Sequence, residues 1–494
     1  MSLQTAFRWT DVRTVARYCG MSALIPAGMG LVSAPVAWWS GDHPALAGFL
    51  WMSAISVAAG ALLFACGIRR VLVNHYQIFW IISFSWVVIS LLGSIPLWLA
   101  GHAAPAGSAS AVFASWPNAL FESVSGFTST GLTMAAGSEG ELTAGLQWWR
   151  SFSQWVGGIG IILAVVLFIF SHRQSRLLVH VELGSVILGK SVHTTALRVW
   201  AIYSLYTLIV IGLLLPTDMS PWEAVNYGLA AISTGGFGVT GGSLGDFSRF
   251  AQAAVLLGIV LGALSFATHQ RAFQRQFGKV LESPQMRWFM GTLLVLLVAM
   301  FASSLALGDH AWPDIVFQAV TSLGTAGFST VDLAAWPAPM LMLMIMAMVV
   351  GGCEGSTVGG IKISRFRRLV LEFGRTLRVL REEPEAITDA EVIEERTETT
   401  NRMLQALFLA FLWLLTLLSG VFALVFLVDA PLLPIIFEAT SALGCVGLTS
   451  GVTQPEMDGA AKGILMLLMW LGRLEIIPIL AIVLAPFFVH QVED

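Results

Sequence analysis

Four short segments of the sequence each contain a glycine that is followed by leucine or phenylalanine. The segments are FESVSGFTSTGLT, NYGLAAISTGGFG, FQAVTSLGTAGFS and FEATSALGCVGLT, which begin at residues 121, 226, 317 and 437. Glycine allows extended or left-handed backbone, which can turn carbonyl oxygens to one side of a loop. Rings of such oxygens replace the hydration shell of an alkali cation. The chemistry that this pattern predicts is coordination of a cation by backbone oxygens.

The candidate ion-binding residues are the glycine of each segment and the residues immediately before it. A polar or amphipathic residue also stands nine positions before each glycine: Glu122, Tyr227, Gln318 and Glu438. We expect Glu122 and Glu438 to lie behind the filter and to hydrogen-bond to its backbone, with a part in proton transfer as the alternative. The predicted filter residues are Thr128, Ser129, Thr130 and Gly131; Thr234, Gly235 and Gly236; Thr325, Ala326 and Gly327; and Cys445, Val446 and Gly447.

Two glycine-rich stretches resemble nucleotide-binding motifs. Residues 236–241 match G-x-G-x-x-G, but the other three glycine segments lack the full pattern. A dinucleotide site also requires a preceding strand. In GSTVGGIK, residues 355–362, Ile361 separates the last glycine from Lys362. We interpret both matches as accidental.

Enzymatic and metal chemistry have little support in the sequence. The four cysteines lie far apart without a C-x-x-C pair, and the nine histidines are scattered. The sequence therefore indicates neither a zinc motif nor a disulfide framework. We predict that the protein is not an enzyme, carries no covalently bound cofactor and binds no nucleic acid.

The elements that position these loops must lie in a membrane. Of the 494 residues, 56% are hydrophobic and 11% are charged, whereas soluble domains carry roughly 25% charged residues. We therefore predict an all-α integral membrane protein with about ten spans, each needing about 20 apolar residues. The expected spans are 19–39, 46–67, 77–100, 145–171, 194–215, 250–268, 287–307, 339–361, 402–428 and 461–489, with shorter half-helices near 113–125, 221–233, 313–325 and 432–444.

Lysine and arginine alternate between present and absent in successive connections. They are absent from 40–68, 102–149, 216–248, 308–338 and 429–459. The positive-inside rule places these segments outside and both termini in the cytoplasm.

The four segments predict four copies of one unit: helix, re-entrant half-helix, loop, helix. Irregular backbone at membrane depth is tolerated where it lines a pore, and the carbonyl ends of four half-helices favour cations. Glycines used only for helix packing are the alternative. The predicted boundaries are 1–70 for an N-terminal helix pair, then repeats at 71–172, 173–270, 271–400 (with a cytoplasmic extension over 362–400) and 401–494.

A second cluster of glycines interrupts the span near residue 350. Five glycines cost about a kcal/mol each in a helix relative to alanine. We therefore predict a broken helix with a flexible loop across the pore, and a packing groove for a neighbouring helix is the alternative. The candidate gate residues here are Gly351, Gly352, Gly355, Ser356, Thr357, Gly359 and Gly360.

Arg473 lies near the centre of the last span. An arginine at membrane depth costs at least about 2.5 kcal/mol on insertion scales and normally faces a cavity or a partner. We predict that it faces the pore, held by carbonyls of the 351–360 loop, as a barrier to cations. An ion pair with Glu354 or Glu475 is the alternative. Arg150, Arg249 and Lys462 are expected at outer helix ends, where they can reach water.

The loops, together with VGGCEGSTVGGIKISR (350–365) and WLGRLEIIPIL (470–480), resemble the Trk/Ktr/HKT superfamily of potassium transporters, and most closely its bacterial TrkH/TrkG branch. The resemblance covers essentially the whole chain. It implies potassium uptake across the bacterial inner membrane, K⁺ as the permeating ion, a gating loop at 350–365 and a homodimer. It also implies regulation by a cytosolic, nucleotide-binding TrkA-like ring.

Rival functions remain open at this point. A proton- or sodium-coupled symporter would use ionisable groups at mid-membrane. A channel that selects weakly between potassium and sodium is the other alternative. The polar stretch 362–402 is either a solvated loop or a docking surface for a cytosolic partner.

Overall fold

A computed structural model describes residues 9–68, 75–160, 192–308, 311–379 and 390–476. Within these ranges the chain is helical and contains no strand, so the predicted all-α class is confirmed. The helices are α1 Trp9–Ser22, α2 Leu24–Trp39, α3 His43–Cys66, α4 His75–Gly93, α5 Ile95–Ala103, α6 Trp116–Phe127, α7 Ala144–Gly158, α8 Val192–Leu214, α9 Pro221–Ile232, α10 Arg249–Ala263, α11 Phe266–Phe273, α12 Phe277–Leu281, α13 Pro284–Leu307, α14 Trp312–Leu323, α15 Ala338–Val350, α16 Ile363–Val379, α17 Ala390–Leu427, α18 Leu432–Leu443 and α19 Gly459–Arg473.

Six helical stretches of the described chain are long and apolar enough to cross a membrane, or seven if one bent pair counts as a span. They include α3, α8, α13 and the membrane part of α17, together with the joined stretches Asp11–Trp39 and Gln77–Ala103. The prediction of about ten comparable spans is therefore only partly matched.

The remaining predicted spans correspond to α7, α10, α15 and α19, which are 13 to 15 residues long. The continuous helix expected at 250–268 is wrong, because the chain bends by 102° between α10 and α11. The break expected within 339–361 is present, since α15 ends at Val350. The later parts of the expected spans 145–171 and 461–489 lie outside the described residues.

The four short helices α6, α9, α14 and α18 each contain twelve residues and lie at the predicted half-helix positions. Proline occupies the first or second position of α6, α9 and α14, and α18 follows Pro431 directly. Proline suits a helix start because it has the required φ and the missing N–H needs no partner there. A helix of 19 to 38 residues precedes each half-helix and one of 13 to 15 residues follows it, in the sets α4-α6-α7, α8-α9-α10, α13-α14-α15 and α17-α18-α19.

Polar contacts join the second helix of one set to the half-helix of the next. They run from α7 to α9, from α10 to α14, and from α19 back to α6. The fourth link is the packing of α15 on α18, so the order of the contacts around the molecule is cyclic. The pairs are Gln147 Oε1 with Trp222 Nε1 at 2.7 Å, Arg249 Nη1 with Asp314 Oδ1 at 2.7 Å, and Lys462 Nζ with Asn118 Oδ1 at 2.6 Å.

Glycines allow three of the second helices to pack directly on the ends of their half-helices. A Cβ on Gly157, Gly262 or Gly472 would meet the carbonyl oxygen of Phe127, Ile232 or Leu443 respectively, closer than the 3.0 Å limit of real contacts. Each of these oxygens lies four residues before the glycine of its loop. The second helices therefore support the loops from behind.

Replacing Gly157 with alanine should destabilise the protein by about 1–3 kcal/mol, because the methyl group would force α7 away from the end of α6. The measurement is thermal unfolding of the detergent-solubilised protein. Gly212→Ala in α8 is the matched control, since a Cβ there has nothing within 4 Å, and its stability should stay equal or rise slightly. Equal effects of the two substitutions would contradict the packing argument.

Candidate functional site

The four glycine loops share one unusual backbone conformation. The four glycines have positive φ, at 102° for Gly131, 82° for Gly236, 75° for Gly327 and 91° for Gly447. The residue two positions earlier is also left-handed in each loop, which is rare for residues other than glycine. These residues are Ser129, Thr234, Thr325 and Cys445, with φ of 55°, 50°, 46° and 49°.

Matching hydrogen bonds hold each loop on the carbonyl end of its half-helix. The residue before each glycine donates its backbone N–H to a carbonyl five positions earlier. Such bonds satisfy carbonyls that the end of a helix leaves without partners. The bonds are Thr130 to Ser125 at 2.9 Å, Gly235 to Ala230 at 2.9 Å, Ala326 to Thr321 at 2.9 Å and Val446 to Ser441 at 2.8 Å.

The four glycines lie against one another in a closed ring. A Cβ built on Gly131 would lie 3.4 Å from Cα of Gly236, and one on Gly236 would lie 2.8 Å from Cα of Gly327. The ring closes through Gly447, which is 3.2 Å from a Cβ on Gly327 and whose own Cβ would lie 2.8 Å from Cα of Gly131. Because the neighbours are backbone atoms that cannot move aside, only glycine fits these four positions. Four matching loops therefore meet around one axis.

The polar residues nine positions before the glycines bind the chain that follows each loop. Glu122 accepts hydrogen bonds from Met134 N and Thr133 Oγ1, both at 2.8 Å. Glu438 accepts bonds from Ser450 N at 3.0 Å, Val452 N at 3.2 Å and Thr453 Oγ1 at 2.9 Å, and from Thr449 Oγ1. The two glutamates therefore bond to backbone that follows the filter, and not to the filter backbone itself as the sequence predicted.

Tyr227 and Gln318, which stand nine positions before Gly236 and Gly327, also bond to the chain that follows their loops. Tyr227 donates its hydroxyl hydrogen to the carbonyl of Ser243, with 2.8 Å between the oxygens. Gln318 Nε2 donates to Ser329 Oγ at 2.9 Å. All four half-helices are thus tied to the segments that continue from their loops.

Arg150 is a buried part of the site that sequence reasoning missed. Its side chain is 1% exposed, and its Nε lies 2.6 Å from Glu122 Oε1 in an ion pair. Its Nη1 donates to the carbonyl of Gly238 at 2.8 Å, and its Nη2 to Thr133 Oγ1 at 3.1 Å. The expectation that Arg150 reaches water is wrong, because the guanidinium connects the first loop to the second. The sequence signal was a basic residue within an apolar run, paired with an acid in the preceding half-helix.

Lys462 is also buried, and it bonds to Asn118 and Pro455, so the expectation that it reaches water is wrong. Arg249 is exposed as expected.

Gln154 is a further buried residue that the sequence did not reveal. Its amide nitrogen donates to the Gly235 carbonyl, and its amide oxygen accepts from Phe237 N at 3.1 Å. One side chain thus holds the backbone on both sides of Gly236.

The glycine-rich segment after α15 forms a non-helical loop over residues 351–362. Gly351, Gly355 and Gly360 have φ of 67°, 72° and 76°, which explains their residue type. A Cβ on Gly359 would meet the carbonyl of Gly444, and one on Gly352 would lie 2.8 Å from the Val358 side chain.

This loop hydrogen-bonds to two of the four glycine loops and also packs against the start of the fourth loop at Gly444. Thr357 Oγ1 lies 3.1 Å from Thr234 Oγ1 and donates to the carbonyl of Gly262 at 3.0 Å. The backbone N–H of Gly359 donates to Thr325 Oγ1 at 2.8 Å. Ser356 instead bonds within the loop, to the carbonyl of Cys353 at 2.6 Å.

Arg473 binds backbone carbonyls from two different parts of the chain. Its Nη1 donates to Thr357 O at 3.1 Å, and its Nη2 donates to Gly157 O at 2.6 Å and Gly158 O at 2.9 Å. The structure thus joins Arg473 to the 351–360 loop and to the end of α7.

The acidic residues proposed as alternative partners of Arg473 have other contacts. Glu475 lies 2.5 Å from Arg365 in an ion pair. Glu354 accepts a bond from Ser364 Oγ at 2.8 Å. Across the described ranges, no group of three or more His, Cys, Asp or Glu side chains could hold a metal ion.

Helices of membrane-spanning length around four convergent loops define a membrane transport protein. The chain belongs to the TrkH family of cation transport proteins, whose family model matches residues 47–486. Proteins of this family are transporters and not enzymes.

The chain is 31% identical to an uncharacterised cation transporter of Methanocaldococcus jannaschii, over 82% of each chain. It is 30% identical to the Trk system potassium uptake protein TrkI of Halomonas elongata, over 84% of each. Its fold is similar to the crystal structure of the potassium transporter TrkH from Vibrio parahaemolyticus, with a TM-score of 0.80 and 25% identity, covering 98% of this chain and 100% of that one.

Replacing Arg150 with methionine should lower the free energy of unfolding by about 3–5 kcal/mol, because Glu122 would be left buried without its partner. The double variant Glu122→Gln/Arg150→Met should be less destabilised than Arg150→Met alone. Thermal unfolding in detergent measures both. Arg249→Met is the control, since its pair is 56% exposed on the arginine side and should contribute at most about 1 kcal/mol. An equal loss for Arg249→Met would contradict the assignment.

Proposed function

We propose that this protein takes up potassium across the bacterial inner membrane, through a pore that passes along the axis of the four glycine loops. The observation that carries the proposal is the closed ring of Gly131, Gly236, Gly327 and Gly447. Relatives named as potassium uptake proteins give it independent support.

In this proposal the backbone oxygens of the four loops take the place of water around K⁺. The carbonyl ends of four half-helices point toward the loops, and the negative pole of each helix dipole favours a cation there. The connections outside the membrane in the predicted topology carry no lysine or arginine that would repel cations. The filter then consists of Thr128–Gly131, Thr234–Gly236, Thr325–Gly327 and Cys445–Gly447.

The proposed gate is the 351–362 loop together with Arg473. The loop bonds to Thr234 and Thr325 of the filter, and the guanidinium bonds to Thr357 of the loop. A positive charge beside the pathway opposes cation passage. Moving the loop would carry Thr357 away from both Arg473 and the filter, which would open the pathway.

The assembly is a further part of the proposal, and its support is the resemblance to the Trk systems. It consists of a homodimer in the lipid membrane, with both termini cytoplasmic and a cytosolic, nucleotide-binding TrkA-like ring as regulator. The boundaries at 70, 172, 270 and 400 remain predictions. Coupling to protons has less support, because Glu122 and Glu438 are engaged in several hydrogen bonds each.

Gly131→Ser and Gly447→Ser should each reduce the preference of rubidium over sodium by about tenfold or more, because a side chain there displaces the neighbouring loop. Rubidium and sodium uptake into vesicles containing the purified protein measures this, with and without a proton gradient. Gly41→Ser is the control, since it also places serine at a positive φ of 70° but has no neighbour within 4 Å. Unchanged selectivity in folded ring variants would overturn the filter assignment.

Arg473→Ala should increase rubidium flux by about fivefold or more, since it removes a charge from the pathway and releases the Thr357 carbonyl. The same vesicle assay provides the measurement, with Arg249→Ala as a control outside the pathway. Flux equal to that of the wild type, in a variant that folds normally, would rule out the barrier.

A further inference from the structure

A cavity lies directly on the glycine ring and is lined by all four ring glycines. The chain segments that follow the loops form its walls, and these segments lie outside the membrane in the predicted topology. Its charged lining residues, among those the structure describes, are Glu139, Arg150 and Asp332. A cation approaching the ring from this side passes these three groups.

The three charges act differently on such a cation. Arg150 is neutralised by Glu122 at 2.6 Å, so this pair adds little net charge. Asp332 is exposed and caps Ala334 N at 2.9 Å, and water screens it. Glu139 is half-buried, and its Oε2 accepts no hydrogen bond within the described chain. Glu139 is therefore the carboxylate of the cavity whose charge is least compensated.

Hydrogen bonds keep Glu139 in this position. Its carbonyl accepts a bond from Gln147 Nε2 at 3.0 Å, and Gln147 Oε1 accepts one from Trp222 Nε1 at 2.7 Å. Gln147 lies on α7 and Trp222 on α9, so two helix sets that support the ring also fix the short 3₁₀-helix Glu139–Glu141. The backbone that carries this carboxylate is therefore held in the wall of the cavity.

We propose that Glu139 concentrates cations at the entrance of the ring, so that its ionisation sets the apparent affinity of uptake and makes it depend on external pH. This inference rests on the proposed potassium uptake. A fixed negative charge in a cleft raises the local concentration of cations.

The environment of Glu139 places this ionisation in the neutral range. Burial raises the pKa of Glu139 to about 7, and the charge of Arg150 on α7 partly offsets that rise. Glu122 on α6 adds a smaller effect that also raises the pKa, and Tyr227 on α9 is the neighbouring neutral group. The carboxylate is charged above pH 7 and becomes neutral as the pH falls below it. Cation affinity should therefore decrease as the outside is acidified.

The test is rubidium uptake into vesicles at external pH 5.5 to 8.5 with the internal pH held constant. In the wild type, KM should rise about two- to fivefold from pH 8.5 to 5.5, with little change in the maximal rate. Glu139→Gln should show the high KM at every pH, whereas Glu139→Asp should keep the pH dependence. Glu141→Gln, at an exposed position outside the cavity lining, is the matched control and should behave as the wild type.

A salt titration separates an electrostatic role from a structural one. Adding an impermeant salt should reduce the difference in KM between the wild type and Glu139→Gln, because ions screen the carboxylate. A Glu139→Gln variant that keeps the wild-type pH profile, or a difference that salt does not change, overturns this proposal. If Glu139→Gln does not fold, an unchanged KM between pH 8.5 and 5.5 in the wild type overturns it equally. Absence of any wild-type rubidium uptake would instead refute the proposed function.

Discussion

The mutual contact of four glycines is the constraint on which the rest of the structure depends. Each ring glycine has backbone of the next loop where a side chain would stand, so the loops must reach the same depth with the same conformation. Twelve-residue half-helices of equal length provide that depth, and glycines in three of the second helices allow the supporting contacts. Small residues thus occupy the places where backbone meets backbone, and large ones fill the space around them.

Two arginines use the same chemistry for different purposes. Arg150 and Arg473 both donate to backbone carbonyls, which an arginine fork suits well. Arg150 is neutralised by Glu122 and fully buried, and it joins two loops. Arg473 donates to three carbonyls and lies partly exposed. The first arrangement stabilises the ring, and the second leaves a positive charge beside a loop rich in glycine.

The sequence predicted the features that depend on local residue types. The half-helices and the break after Val350 follow from apolar run length, proline and glycine, which act within a few residues. The burial of Arg150 could not be predicted from local residue types, because its partners Glu122 and Gly238 are 28 and 88 positions away in the chain. Arg473 likewise meets Gly157 across 316 positions. Apolar length alone also suggested a complete span at 250–268, but the chain bends by 102° between α10 and α11.

The four helix sets belong to one chain, so their sequences need not be identical. In an assembly of four identical subunits, any change of sequence would appear at all four positions around the axis. In the part of the chain that the structure describes, the 351–362 loop follows the third ring segment, and Arg473, which bonds to it, comes from the fourth set of helices. One helix set can therefore change in evolution while the other sets keep the geometry of the glycine ring. The ring is symmetric, whereas the 351–362 loop and Arg473 beside it are not. Because one gene encodes all four sets, substitutions can alter either feature without altering the other.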